Sequence, residues 1–323
     1  MTPEAGAGLR PCGHAKKPQA GPPGFCAVSM AGEALVAAAL KPLGAIGRMP
    51  LNRAQRITRR LAGPLRGLMR RRAGIVRRNL ALCFPEASDS ERRRIERDHF
   101  RNLAEAVGEI AVAWHHPGRL DASFGEVRGL EHVEKARIGG RGVLLLTGHV
   151  TCLELGARLM GESLSARAIY RPLRNAALER AQNEGRRRDA EEMIPRKDLR
   201  AMVRHLRSGG VLWYAPDQDL GPARTQIALF FGVPTATATG LLDLARLGRA
   251  AVMPMFPSKS PETGRVCVTV EAALEPFPSD DPESDLATFN AFLERHVRRQ
   301  PAQYWWLHRR FKTPPPGTPD RYA

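Results

Sequence analysis

Gly142-Val143-Leu144-Leu145-Leu146-Thr147-Gly148-His149-Val150-Thr151-Cys152-Leu153-Glu154 is the stretch on which the fold turns. Its first half, Gly142–Thr147, is a short apolar run of the kind a strand shows when both faces of a parallel sheet are covered. Its second half turns helical over Cys152–Met160. The same alternation continues downstream. Ala166–Tyr170 reads as a strand and Ala176–Arg188 as a helix. Lys197–Arg207 reads as a helix closed by Ser208-Gly209-Gly210, and Val211–Ala215 as a strand. Thr239–Leu247 is helical, and Ala250–Phe256 and Val266–Val270 are strands. This pattern predicts an α/β fold, a single mixed, mostly parallel sheet flanked by helices and joined by right-handed crossovers.

Upstream of that block the chain is helical and basic. Ser88-Asp89-Ser90-Glu91 has the form of a capping box, and Ile95, Phe100, Leu103, Val107 and Ile110 mark the buried face of the long helix behind it. Trp114-His115-His116-Pro117 ends that helix; adjacent helical residues point apart, so the two histidines read as surface groups and not as metal ligands. From Arg48 to Arg78 there are eleven arginines and no acid, with Leu51, Ile57, Leu61, Leu65 and Leu68 recurring at helical spacing. A basic amphipathic segment of this kind suits an anionic membrane surface, where each arginine contributes on the order of 1 kcal/mol. The apolar stretch Ala34–Ile46 falls short of the ~20 residues that a span requires, and reads as an interfacial or core helix.

The expected organisation is therefore an extension over 1–29, N-terminal basic membrane-associating helices over 30–85, the α/β domain over 86–313 and a Pro-rich tail over 314–323. Residues 1–29 are Gly-, Pro- and Ala-rich without the apolar core of a secretory signal, and are expected to be disordered or to precede a native start at Met30.

Composition limits the partners. The 323 residues carry 50 Lys+Arg against 33 Asp+Glu, a net charge of +17, which points to nucleic acid, an anionic membrane or acidic substrates. No nucleic-acid-binding module is recognisable, and the arginines cluster ahead of the α/β block. The five cysteines are scattered, with no metal-ligand spacing and no disulfide framework.

His149 stands where a buried strand gives way to a helix, the rim at which open α/β sheets bind ligands. Glu154 follows one helical turn into α-helical sequence. An imidazole held by a carboxylate can take the proton from an attacking hydroxyl, so the pair suits acyl transfer. Two other readings stay open: Thr151-x-x-Glu154 also has the form of a capping box, and Cys152 could form a Cys–His nucleophilic pair. Tyr170-Arg171-Pro172 and Tyr214-Ala215-Pro216-Asp217-Gln218-Asp219 follow further strands, and Gly185-Arg186 lies on a helix between them. Arg171 or Arg186 could meet a phosphate or a developing oxyanion.

The His149-x4-Glu154 motif with Leu155-Gly156-Ala157-Arg158, the Tyr170-Arg171-Pro172 and Arg196-Lys197-Asp198-Leu199 segments, Trp213–Asp219 and Trp306-Leu307-His308-Arg309-Arg310-Phe311-Lys312 come in a fixed order. In this set, joined by Arg77-Arg78-Asn79-Leu80 and Cys83-Phe84-Pro85-Glu86, the chain resembles the bacterial lipid A late acyltransferases that act on Kdo2-lipid IVA, from about Met30 to Tyr322. The resemblance implies an enzyme on the cytoplasmic face of the inner membrane. It would move a fatty acyl chain from acyl carrier protein to a hydroxyl of an anionic glycolipid acceptor, without metal or cofactor. It assigns His149 as base and Glu154 as its partner, and places Arg171, Arg186 and Asp217 at substrate. Arg70-Arg71-Arg72 and Arg309-Arg310 are alternative docking points for the acidic carrier. An acyltransferase for another glycolipid, lysophospholipid or amino-acid lipid, and a non-catalytic basic membrane- or nucleic-acid-binding protein, are the competing functions.

Overall fold

The computed structural model describes residues 23–173, 175–187 and 193–323. It opens with helices α1 (Pro23–Ile46), α2 (Leu51–Arg59), α3 (Ala62–Leu68), α4 (Arg70–Cys83) and the long α5 (Asp89–His115). Strand β1 (Gly125–Arg128) and α6 (Leu130–Ile138) lead into β2 (Val143–Leu146), α7 (Leu153–Ser163), β3 (Arg167–Tyr170), α8 (Ala176–Arg186) and β4 (Ile194–Pro195). Then come α9 (Leu199–Arg207), β5 (Val211–Tyr214), the hairpin β6 (Thr225–Phe230) and β7 (Val233–Ala238), α10 (Gly240–Gly248), β8 (Ala251–Lys259), β9 (Val266–Val270) and α11 (Pro282–Arg299).

The main sheet has the order β1-β9-β8-β2-β5-β3-β4. The run from β8 to β4 is parallel throughout, and β9 reverses direction against β8 and pairs parallel with β1. The sheet is thus mixed and mostly parallel. All four residues of β2 are buried, because β2 lies at the centre of the sheet with helices over both faces. The expected strands and helices of this half all form, with ends moved by one to three residues; Arg188, the expected last residue of α8, lies outside the described residues.

The capping box forms as read. Ser88 Oγ accepts from the Glu91 N–H at 3.3 Å, and the Glu91 carboxylate accepts from the Ser88 N–H at 2.7 Å. Behind it α5 runs under the sheet, its buried Glu105 and Glu109 held by Lys259 Nζ of β8 at 2.6 and 2.8 Å.

The basic region departs from one amphipathic helix. It is three short helices: Pro64, with no N–H for the Arg60 carbonyl and a ring that crowds that position, separates α2 from α3, and Met69 leaves helical geometry between α3 and α4. Leu51 and Ala54 are buried in the same core cluster as the sheet, whereas Ile57, Leu61 and Leu68 are exposed, Leu68 to 87%. Helix α1 begins at Pro23, so its first residues lie inside the expected disordered extension; residues 1–22 lie outside the described residues. It packs on α5 and α8. Among the described residues no helix is long and apolar enough to cross a membrane.

Candidate active site

Strands β2 and β5 are parallel neighbours in register, Leu146 opposite Tyr214. His149 lies three residues beyond the end of one, and Asp217 three beyond the end of the other, so the two side chains meet at the C-terminal rim. Asp217 Oδ1 accepts from His149 Nδ1 at 2.5 Å, and Oδ2 accepts from the His149 backbone N–H at 2.8 Å. One carboxylate thus fixes both the loop and the ring. The glycine before His149 permits this approach: a Cβ at Gly148 would stand 3.3 Å from Asp217 Oδ2 and 2.8 Å from Leu293 Cδ2.

The loop is clamped from its other side. Val150 pairs with Tyr304 in an antiparallel bridge; the Trp305 N–H donates to the His149 carbonyl at 3.0 Å and the Thr151 N–H to the Gln303 carbonyl at 2.8 Å. With its backbone held on three sides, the imidazole is 30% exposed while Asp217 is 2% exposed. Burial pulls the His149 pKa down, but the charge and hydrogen bond of Asp217 outweigh it, and the net shift is upward. Burial likewise opposes ionisation of Asp217, yet His149 overrides it and holds the carboxyl down at about 2. The partner is therefore a carboxylate at neutral pH. His149 Nε2 has no protein partner among the described residues and faces a cleft.

Glu154 does not hold the imidazole. Its carboxylate accepts from Trp114 Nε1 of α5 at 3.1 Å and is paired by Arg186 of α8, whose Nε lies 3.1 Å away and whose Nη2 also contacts it. The reason is geometric: Nδ1 is already taken by the rim carboxylate of β5, and Glu154, on the first turn of α7, reaches sideways across the cleft. Nor does Glu154 cap α7, whose N-cap is Cys152 with no side-chain bond, and Thr151 Oγ1 is buried without a partner. Cys152 is fully buried, and burial with the charge of Glu109 pushes its thiol up to about 12, which leaves no thiolate for attack.

The cleft has a volume of about 340 Å³. Its wall is largely apolar, with Leu153, Met160, Ile169 and Trp213 among its residues, and its polar groups include His149, Glu154, Arg171 and Arg186. All five residues expected at the site are thus at or beside this cleft: His149, Glu154, Arg171 and Arg186 line it, and Asp217 lies behind His149. Asp217 is 2% exposed and accepts from both the backbone N–H and Nδ1 of His149, an arrangement that holds the imidazole in place. Trp114, the residue that completes the Glu154 site, was not legible, because it comes from the end of α5, forty residues upstream. Arg310 is buried, donating to the Ala236 carbonyl at 2.6 Å and to Asn290 Oδ1 at 3.2 Å, so of the pair Arg309-Arg310 only Arg309 is exposed. Among the described residues no cluster of three His, Cys, Asp or Glu could hold a metal ion.

An imidazole base with a buried carboxylate, at the mouth of a narrow apolar cleft, is suited to taking a proton from an alcohol beside a bound aliphatic chain. Comparison with known proteins gives the family. The family profile described as bacterial lipid A biosynthesis acyltransferase matches residues 24–313. The chain is 41% identical to the lipid A biosynthesis lauroyltransferase of Escherichia coli K12, over 79% of this chain and 83% of that protein. It is 36% identical to the palmitoleoyltransferase of lipid A biosynthesis from the same organism, over 81% and 86%. Among solved structures it is similar to a 1-acyl-sn-glycerophosphate acyltransferase of Thermotoga maritima, with a TM-score of 0.35 and 12% identity over 69% of this chain and 91% of that one. A profile match over nearly the whole chain and relatives at this identity leave one assignment: the chain belongs to the bacterial lipid A biosynthesis acyltransferases.

Proposed function

We propose that the protein transfers a fatty acyl chain from the thioester of acyl carrier protein to a hydroxyl of a lipid A precursor of the Kdo2-lipid IVA type, at the cytoplasmic face of the inner membrane. The observation that carries this reading is the free Nε2 of His149 at the cleft, with Nδ1 held by a buried carboxylate. The acyl chain occupies the apolar cleft, its carbonyl at the His149 end. Nε2 removes the proton of the acceptor hydroxyl as that oxygen attacks the thioester carbonyl. The C–S bond then breaks, the imidazolium returns its proton to the departing sulfur, and an ester and a free thiol result. Asp217 keeps the Nδ1 proton in place and stabilises the imidazolium. General base catalysis of this type contributes about 10²–10⁴-fold.

Glu154 has a different task in this scheme. Bonded by Trp114 and Arg186, it fixes the guanidinium of Arg186 within the cleft. Arg171, exposed at the rim, is the cation available to a substrate phosphate. The +17 charge favours encounter with both an acidic carrier and a phosphorylated glycolipid. The test is His149→Ala assayed with acyl carrier protein thioester and purified acceptor, the product read by mass spectrometry. Transfer is expected to be lost while circular dichroism is unchanged; transfer retained within a few-fold removes His149 as the base.

A further inference from the structure

A second cavity, of about 680 Å³, opens between α4 and the C-terminal segment. Arg71, Arg72 and Arg78 of α4 line it on one side, and Arg309, Arg321 and Tyr322 on the other. The two arginine runs that the sequence offered as alternatives, Arg70-Arg71-Arg72 and Arg309-Arg310, both contribute to this one groove, through Arg71, Arg72 and Arg309. No acidic side chain lines it, although Ala323 with its main-chain carboxylate does, and none of the five arginines forms an ion pair among the described residues.

Such a concentration of like charge is costly unless an anion joins it, yet three of the arginines are held in place by neutral groups. Arg72 Nη1 donates to the Leu307 carbonyl at 3.1 Å, Arg78 Nε to the Arg321 carbonyl at 2.5 Å, and Arg321 Nη1 to the Pro234 carbonyl at 2.8 Å. Arg309 lies over the Tyr322 ring at 5.5 Å. Each such anchor uses part of a guanidinium and leaves its other N–H groups for a ligand. A concave set of fixed arginines in excess of any anion in the groove matches phosphate, whose oxygens accept bidentate bonds from several of them together.

The surroundings say which kind of phosphate. Leu68 precedes Arg71 by three residues and is 87% exposed, and Leu61 and Ile57 on α2 and the turn after it are 48% and 37% exposed, among Arg53, Arg56 and Arg60. Exposed aliphatic side chains beside an arginine groove fit a lipid surface, where the aliphatic groups enter the acyl boundary and the arginines meet headgroups. We propose that the groove between α4 and the C-terminal segment is a phospholipid site, separate from the His149 cleft, which binds the headgroup phosphate of an anionic membrane lipid.

The test uses the full chain and sedimentation with vesicles of phosphatidylcholine, with and without phosphatidylglycerol, at physiological salt. Arg71→Ser with Arg309→Ser should weaken binding to the anionic vesicles at least about tenfold. Arg93→Ser with Arg97→Ser, which removes the same charge from exposed positions of α5, should change it less than about threefold. Arg71→Ser alone guards against misfolding, because Arg71 makes no bond to the rest of the chain among the described residues, and it should retain a several-fold loss. Equal loss in the two double variants would mean diffuse charge and no site. If pyrophosphate raised the melting temperature of the wild type but not of the Arg71→Ser, Arg309→Ser chain, and vesicle binding were unchanged, the groove would hold soluble phosphate instead. Loss of binding to acyl carrier protein with vesicle binding intact would make it a protein-docking surface. Each of these three results overturns the proposal.

Discussion

Asp217→Asn separates the two carboxylates that could serve His149. The substitution keeps the size and position of the side chain, in which each carboxylate oxygen accepts from an N–H group of His149. Asparagine has one oxygen where the carboxylate has two, so only one of the two N–H groups keeps its acceptor. If that oxygen stays on the His149 backbone N–H, the NH2 group faces Nδ1, and the ring must then carry its proton on Nε2. That tautomer has no lone pair for the acceptor hydroxyl. Loss of the correct tautomer in a comparable His–carboxylate pair costs up to about 10⁴-fold in turnover, and a loss of about 10³–10⁴-fold is expected here. The pH profile gives a second readout. Asp217 raises the His149 pKa above its ordinary 6.5, so wild-type activity, which requires neutral imidazole, declines as pH falls through that raised value. Without the negative charge the pKa drops, and the acid limb of the residual activity moves to lower pH. The assay is initial-rate acyl transfer across a pH series, with folding checked by thermal melting. A variant active within tenfold of wild type, or an acid limb that does not move, would refute Asp217 as the positioning carboxylate.

The remaining predictions concern the cleft wall and the core. Glu154→Gln and Arg186→Gln should each reduce turnover, and the double variant should be little worse than the poorer single one, because the two act as a unit; additive losses in a double-mutant cycle would count against this. Gly185→Ala would place a Cβ into the Trp114 ring, costing about 1–3 kcal/mol by overpacking and reducing activity through the Trp114–Glu154 bond, both readable from denaturant melts and rates. His99 is fully buried with Nδ1 on the Ala302 carbonyl, and burial lowers its pKa from 6.5 to about 4. The unfolded chain therefore takes up this proton first, and stability falls as pH drops from about 6.5 toward 4, by about 3 kcal/mol from this group alone. His99→Gln should remove that part of the acid slope, and an unchanged slope in the variant would exclude His99 as its source.

The central sheet was legible because its strands are short apolar runs that alternate with amphipathic helices, and both signals are local. Parts of the site were legible for the same reason: His149, Asp217 and Arg171 each follow a strand at one rim. Which carboxylate serves the imidazole was not, because it depends on strand order. Only the adjacency of β2 and β5 makes an acid three residues past one strand end the partner of a histidine three residues past the other. Sequence distance favoured Glu154, five residues away, and space favoured Asp217. The β6–β7 hairpin escaped notice because its turn at Phe231-Gly232 puts an aromatic residue at φ 54°, where an asparagine would have signalled the turn, and Pro234 stands inside the second strand. Helix α11 did carry a local mark, Asp281-Pro282-Glu283-Ser284, in which Asp281 accepts from the Glu283 and Ser284 N–H groups.

The clamp on the His149 loop comes from chain about 150 residues further along. The strap Gln303–Trp305 is made after every other part of the rim, so a growing chain can hold β2 and β5 together and still leave the histidine's carbonyl and its neighbours unpinned. A chain cut short of that strap would keep both Asp217 bonds to His149 and lose only the clamp on the far side of the loop.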